Sequence, residues 1–283
     1  MNEIVTLSKM SRRKFFKRCA RKILFSDWVS HVFAFFVFGT VLAGLVQFGT
    51  GAMLLFEQIT ANYFLSSVVV TVYVLFAFFL AVPLMYGLVY FEICAVEDGK
   101  CDLRNLFYCF VSSEKLIRSY ALFFRLLIKA FLCFLPAAAA FVCLLYVYDD
   151  SSLGIGYFVK NVNLVGLLCE TVFVVLLLLG LVLSSKHFVG AYICVRFPET
   201  KMKDAFFIAK VCTYGSKSEV TKLMLSFVPL TFVSLYTFGL LFAMYSLPYM
   251  LLSFILLSKY LYDKEMYTQN AQKVLYTENE IEN

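Results

Sequence analysis

Chemistry in this chain of 283 residues would have to start from few groups. One carboxylate, Glu170, falls well inside a long apolar run, and Arg125 and Lys129 stand one helical turn apart near the start of another. An ionisable group in hydrocarbon costs at least ~2.5 kcal/mol at the bilayer centre, so Glu170 is a candidate for binding a solute or a proton. Its depth favours a plainer role, because a position six residues in from Leu164 is only about 9 Å deep, which suits a wetted interfacial residue. Arg125 and Lys129 can snorkel their cationic heads to the surface, with substrate binding as the alternative. His31 and His187 are the only imidazoles and stand in different segments. At the edge of an apolar run, His31 reads as an interfacial hydrogen-bonding group and not as a ligand. The nine cysteines are scattered with no CxxC pair, as expected of small packing residues and reduced thiols. No metal-ligand set, HExxH, GxSxG or paired-carboxylate cluster is present, so no catalytic residue, metal or cofactor is expected.

The elements that must position these groups are hydrophobic helices. The chain is 61% hydrophobic and only 16% charged, with a mean hydropathy of +0.81, against ~45 to 50% apolar and ~25% charged in soluble domains. Residues 223–258 contain no Asp, Glu, Lys, Arg or His. As one helix they would run roughly 54 Å, nearly twice the ~30 Å of a hydrocarbon core, so they must fold back. Gly239 and Pro248 bracket the turn. The same reading along the chain gives an all-α integral membrane protein, a single membrane domain of six spans at about 29–50, 67–91, 126–148, 164–186, 223–240 and 245–262. Pro83 and Pro136 kink the second and third spans, and a cytosolic tail covers 263–283. The spans form three hairpins.

Each hairpin follows a basic amphipathic segment. Lys9 to Lys22 carries eight basic residues and no acid, with Phe15, Phe16, Cys19, Ala20, Ile23 and Leu24 at helical spacing. Leu103, Leu106, Phe107, Phe110 and Val111 make a second stripe, and Met202, Ala205, Phe206, Ala209 and Cys212 a third. Too short and too charged to span, these segments are expected to rest on the membrane surface with their apolar stripes at the headgroup boundary. Twenty-four of the 25 basic residues then lie on one side, leaving Lys160 opposite, which places both termini in the cytosol. A net charge of +6 clustered beside hydrophobic runs points to anionic inner-leaflet lipids as partners, and to no nucleic acid.

The last third resembles an uncharacterised bacterial integral membrane family, domain of unknown function 975. The likeness runs from Ala191 and Tyr192 through Pro198, Ala205, residues 223–227 (LMLSF), Gly239, Pro248 and Tyr249 to Tyr260 or Tyr262. The family's usual Met-Lys-Gly before the fifth helix is replaced around Lys210, Tyr214 and Gly215, and its Trp after Phe227 is absent. The resemblance implies six helices and no activity or catalytic residues. An internal repeat is suggested by Pro83 to Gly87 (PLMYG) beside Pro248 to Leu252 (PYMLL), and by Asp102 to Phe107 (DLRNLF) beside Asp204 to Phe207 (DAFF).

These features favour a non-enzymatic component of envelope homeostasis or assembly that engages lipids or other membrane proteins in the cell membrane. A small-solute transporter or permease is the alternative, drawing on Glu170 and the broken helices. A membrane enzyme is the third.

Overall fold

The computed structural model describes residues 9–60, 63–99, 101–148, 162–235 and 241–281. Among these there is helix and turn and no strand. In order they are α1 (Lys9–Ser26), α2 (Trp28–Thr60), α3 (Tyr63–Glu97), a 3₁₀ segment (Leu103–Val111), α4 (Ser113–Tyr148), α5 (Val162–Arg196), α6 (Met202–Cys212), α7 (Lys217–Leu225), α8 (Val228–Leu235), a π turn (Phe242–Ser246) and α9 (Leu247–Ile281). Four stretches are long and apolar enough to cross a membrane: Trp28–Gly51, Ser67–Glu97, Ser113–Cys143 and Met244–Thr268. The protein is an all-α membrane protein.

Its packing is one-sided. In the most apolar 18 residues of each stretch the buried share is 17%, 17% and 6% for the first three and 61% for the last, so α9 is the internal post and the apolar parts of the others turn outward. Phe48, Val72, Phe76, Phe131, Leu132, Val172 and Val175 are all exposed, a far larger apolar area than a soluble surface tolerates. The core gathers at the end of the bundle that carries the basic residues. There Tyr249, Leu252, Ile255, Leu257 and Leu261 of α9 pack with Tyr192 and Ile193 of α5, Leu223 of α7 and Phe227. Consecutive long helices pair most closely, α2 with α3 and α4 with α5. In the second pair Gly180 lets Phe134 and the Cys133 carbonyl approach, the close backbone contact that small residues permit in lipid.

The amphipathic stripes are used differently from the sequence expectation. Phe16, Ala20 and Leu24 of α1 are buried in the protein core instead of resting on headgroups, with the Phe16 ring 5.5 Å from that of Tyr260. Likewise Ala205, Phe206, Ala209 and Cys212 of α6 turn into the core, while Phe207 is exposed. The second stripe is divided. Leu103–Val111 is 3₁₀ and not α, broken at Phe107 (φ −97°, ψ 16°). With three residues per turn, Leu106 and Cys109 face inward, leaving Phe107, Phe110 and Val111 exposed.

Two span boundaries also move. The expected fifth span, 223–240, is interrupted between α7 and α8. Pro229, in the first turn of α8, has no N–H to give the preceding turn and its ring collides with a continuing helix. The Ser226 hydroxyl meanwhile donates to the Leu223 carbonyl at 2.6 Å. The second span continues beyond Phe91 to Glu97, carrying Glu92 inside the helix. Pro83 and Pro136 lie within α3 and α4. Pro248 follows directly on the π turn in a continuous helix, where the wider turn accommodates the bond its missing N–H cannot make. Gly239 lies outside the described residues.

Polar ties lock the basic end. Arg196 on α5 pairs with Glu97 at the end of α3 at 2.6 Å and reaches Asp263 on α9 at 3.8 Å, and Arg12 on α1 pairs with Glu219 on α7 at 3.5 Å. One Arg118 nitrogen donates to the carbonyls of Cys194, Phe197 and Thr200 at 3.3, 3.2 and 2.7 Å. It caps the C-terminal end of α5, where carbonyls lack helical partners and a cation complements the dipole. Arg118→Met is expected to lower stability by about 2 kcal/mol, as for charged hydrogen bonds left unmade, with Arg118→Lys intermediate. Thermal unfolding in nanodiscs checks this.

Candidate functional site

A polar cluster is built where α1 meets α2, beneath the end of α3. Asp27 separates the two helices, and its carbonyl accepts the His31 N–H at 3.3 Å. Its carboxylate accepts from the Ser30 hydroxyl at 2.9 Å. One turn on, His31 points at α3, with Ala34 and Phe35 buried on the same face. Its ring meets Phe91 edge-on at 5.6 Å, and Nδ1 lies 3.0 Å from Glu92 Oε1. Both side chains of this pair are 0% exposed. The second oxygen, Glu92 Oε2, is buried without a hydrogen-bond partner.

The fourth member arrives through a turn. Asp98 N–H donates to the Cys94 carbonyl at 2.8 Å, closing α3, and Gly99 follows at φ 64°, the left-handed conformation that ends helices and that glycine adopts without strain. Cys101 then places its Sγ 3.5 Å from His31 Nε2, with the Asp27 carboxylate close enough for its charge to act on the thiol. The resulting order is Asp27, Cys101, His31, Glu92. Leu84, Leu88, Phe91 and Leu106 form a buried apolar cluster with Ala34 and Phe35 of α2, and Leu247 and Leu251 of α9 pack against it.

A thiol, an imidazole and a carboxylate in sequence is also the order of a nucleophilic triad. Here the thiol is not activated. Burial, and then the negative charges of Asp27 and Glu92, push Cys101 up to about 12, so it stays a neutral S–H donor, whereas reactive cysteines lie in electropositive surroundings that lower the thiol. Among the described residues no group of three or more His, Cys, Asp or Glu side chains is placed to hold a metal ion. What the cluster can do is bind and pass protons.

The residues singled out by sequence fall elsewhere. Arg125 and Lys129 do come together, but over an aromatic face: Lys129 Nζ is 3.5 Å and the Arg125 guanidinium 5.0 Å from the centre of the Phe206 ring. That ring rests against Gly190, where any Cβ would strike it, and His187 approaches it edge-on at 6.3 Å. Partly buried cation–π contacts of this kind hold the cations near the basic end. Glu170 has an exposed side chain and lies about 25 Å along α5 from His187. His31, expected as an interfacial hydrogen-bonding group, is enclosed. Glu92 was missed because it is the first acid after a long uncharged run and reads as the start of a loop. A usable signal existed: His31 and Glu92 mark the same boundary of two consecutive antiparallel helices.

The chain matches no protein-family model, no curated protein and no solved structure.

Proposed function

We propose that this protein is a six-span component of the cell membrane with both termini in the cytosol, non-enzymatic, whose basic end engages anionic lipids of the inner leaflet and through them neighbouring membrane proteins. The observation that carries this reading is the mounting of α1. Its apolar residues are committed to the core, while Lys14, Arg18, Arg21 and Lys22 are exposed. Lys17 ties the helix down, donating to the Ser226 carbonyl at 3.2 Å and lying 4.3 Å from the Phe227 ring centre. Burial, helped by Arg13 and Arg21, lowers its pKa. A rigidly held row of cations gains from anionic headgroups about 1 kcal/mol per residue near the surface, without the entropy cost of ordering a free tail. Arg125 and Lys129 add charge to the same end. The neutral Cys101 thiol argues against nucleophilic catalysis at the His31 cluster.

Native mass spectrometry of the protein extracted from vesicles containing phosphatidylglycerol tests the lipid reading. Replacing Lys14, Arg18, Arg21 and Lys22 together with Gln should reduce retained anionic lipid at least roughly tenfold with the fold intact. Unchanged retention would overturn it. Topology is tested separately by single-cysteine labelling in a cysteine-free background. Glu57→Cys, Ile155→Cys and Ala243→Cys should be reached from outside, and Asn105→Cys and Lys210→Cys should not. The Ala243 position decides whether the broken pair of α7 and α8 crosses the bilayer.

Solute transport is a second reading, favoured by one observation, the buried His31 and Glu92 pair within two spanning helices. Intramembrane ionisable residues mark ion and substrate routes.

A further inference from the structure

We propose that Asp27, Cys101, His31 and Glu92 form a proton-binding relay that loads one proton onto the buried His31 and Glu92 pair from the basic end of the bundle. The inference goes beyond the lipid-binding reading and does not depend on it.

The geometry is graded from surface to interior. Asp27 and Cys101 are half-buried, whereas His31 and Glu92 are fully enclosed. Two links of the order are hydrogen bonds, thiol to imidazole at 3.5 Å and imidazole to carboxylate at 3.0 Å, and the Asp27 carboxylate lies near enough to the thiol for its charge to act on it. The pair is wholly enclosed, Phe91 meets the imidazole edge-on, and the same helices and the 3₁₀ segment carry a buried apolar cluster of Ala34, Phe35, Leu84, Leu88, Phe91 and Leu106. The titratable group in contact with the pair is Cys101, at His31 Nε2, and Asp27 stands one turn before His31, its carbonyl accepting the His31 N–H. Asp102 accepts from the Arg104 N–H of its own segment at 2.9 Å, and Asp98 is exposed. The unpartnered Glu92 Oε2 is a second, independent mark. A wholly buried carboxylate oxygen without a donor is costly for a purely structural pair, and it leaves the carboxyl able to accept a proton or a further donor in another protonation state.

Proton balance is simple. In the starting tautomer His31 Nδ1–H donates to Glu92 and the Nε2 lone pair faces the thiol. The thiol passes its proton to Nε2, giving an imidazolium held by the Glu92 carboxylate. The transient thiolate takes a proton from the Asp27 carboxyl, which has taken one from water at the surface. One proton has moved inward, no bond between heavy atoms has changed, and nothing is oxidised. A thiol as weakly acidic as Cys101, at about 12, carries the thiolate only in passing.

The chain has two histidines, so His187→Gln leaves His31 as the sole imidazole for ¹⁵N spectroscopy of the full-length protein in nanodiscs. Over the pH range in which the protein stays folded the His31 nitrogens should pass from singly to doubly protonated, with the Nδ1 proton kept throughout. After a pH jump, Cys101→Ala should slow that change at least roughly tenfold while leaving its end points in place, and Cys101→Ser should restore the rate. Asp27→Asn, which leaves the core untouched, should slow it as well. A His31 that keeps one protonation state across this range, or rates indifferent to Cys101 and Asp27, would overturn the relay. A merely structural cluster would move stability and leave the rate unchanged.

Discussion

His31→Leu is expected to destabilise the protein by about 3 to 5 kcal/mol, as when a buried ion-pairing partner is removed and the remaining charge has none. In this variant Glu92, fully enclosed, would lose its one hydrogen-bonding neighbour at Oε1 while Oε2 already lacks one. Glu92→Leu should cost less, about 1 to 3 kcal/mol, because it leaves only an imidazole N–H unsatisfied. The double variant His31→Leu with Glu92→Leu should recover most of the loss, since two apolar groups of similar volume fit surroundings made of Ala34, Phe35, Leu84, Leu88 and Phe91. Reversible unfolding of all four proteins in mixed micelles, read as a double-mutant cycle, checks the order. If the double variant instead loses the sum of the two single losses, the two side chains are not coupled and the site as described does not exist.

The second large effect is expected at Gly87. A Cβ added there would collide with the backbone carbonyl of Leu106, and no side-chain rotation relieves a clash with backbone. Either α3 or the 3₁₀ segment must shift. Overpacking of a filled core costs about 1 to 3 kcal/mol, and Gly87→Ala should sit at the upper end, because Leu106 is 1% exposed and has no empty space to enter. Gly39 and Gly44 in α2 are the control, with nothing within 4 Å of an added Cβ. Alanine there should be neutral or stabilising by about 0.5 to 1 kcal/mol, the usual helical difference between the two residues. Gly190→Ala should fall between, because its obstacle is the Phe206 ring, a side chain that can tilt at the expense of its contacts with Lys129 and Arg125.

Both effects depend on the seam where the 3₁₀ segment crosses α3. Leu106 packs in one apolar cluster with Phe91, whose ring meets His31, and Gly87 sets how close Leu106 can come. Displacing that seam by an alanine at Gly87 should therefore also disturb the environment of His31, about one turn further along α3 at Glu92. The same ¹⁵N spectrum that follows the relay would register it.

Patterns with local causes were readable from the chain alone. Runs without charge require helices in lipid, because an unpaired backbone group in hydrocarbon costs several kcal/mol and only a helix satisfies all of them within one segment. Helices over about 29–50, 67–91, 126–148 and 164–186 are expected from that constraint, and α2 to α5 contain them. The gathering of basic residues at one end is likewise a property of their sequence positions. Tertiary structure decided where each apolar stripe went. Phe16, Ala20 and Leu24 have the same spacing whether their face meets lipid or protein, and only the presence of α9 beside α1 turns them inward. It also decided the helical type at Leu103–Val111, where seating Leu106 against Gly87 selects a three-residue repeat over the α-helical one that the apolar spacing suggests. Glu92 shows the difference most clearly. By its own neighbours it ends a hydrophobic run, and burying it there would be prohibitive; what makes the position tolerable is an imidazole 61 residues earlier in the chain, brought to 3.0 Å by the pairing of α2 with α3.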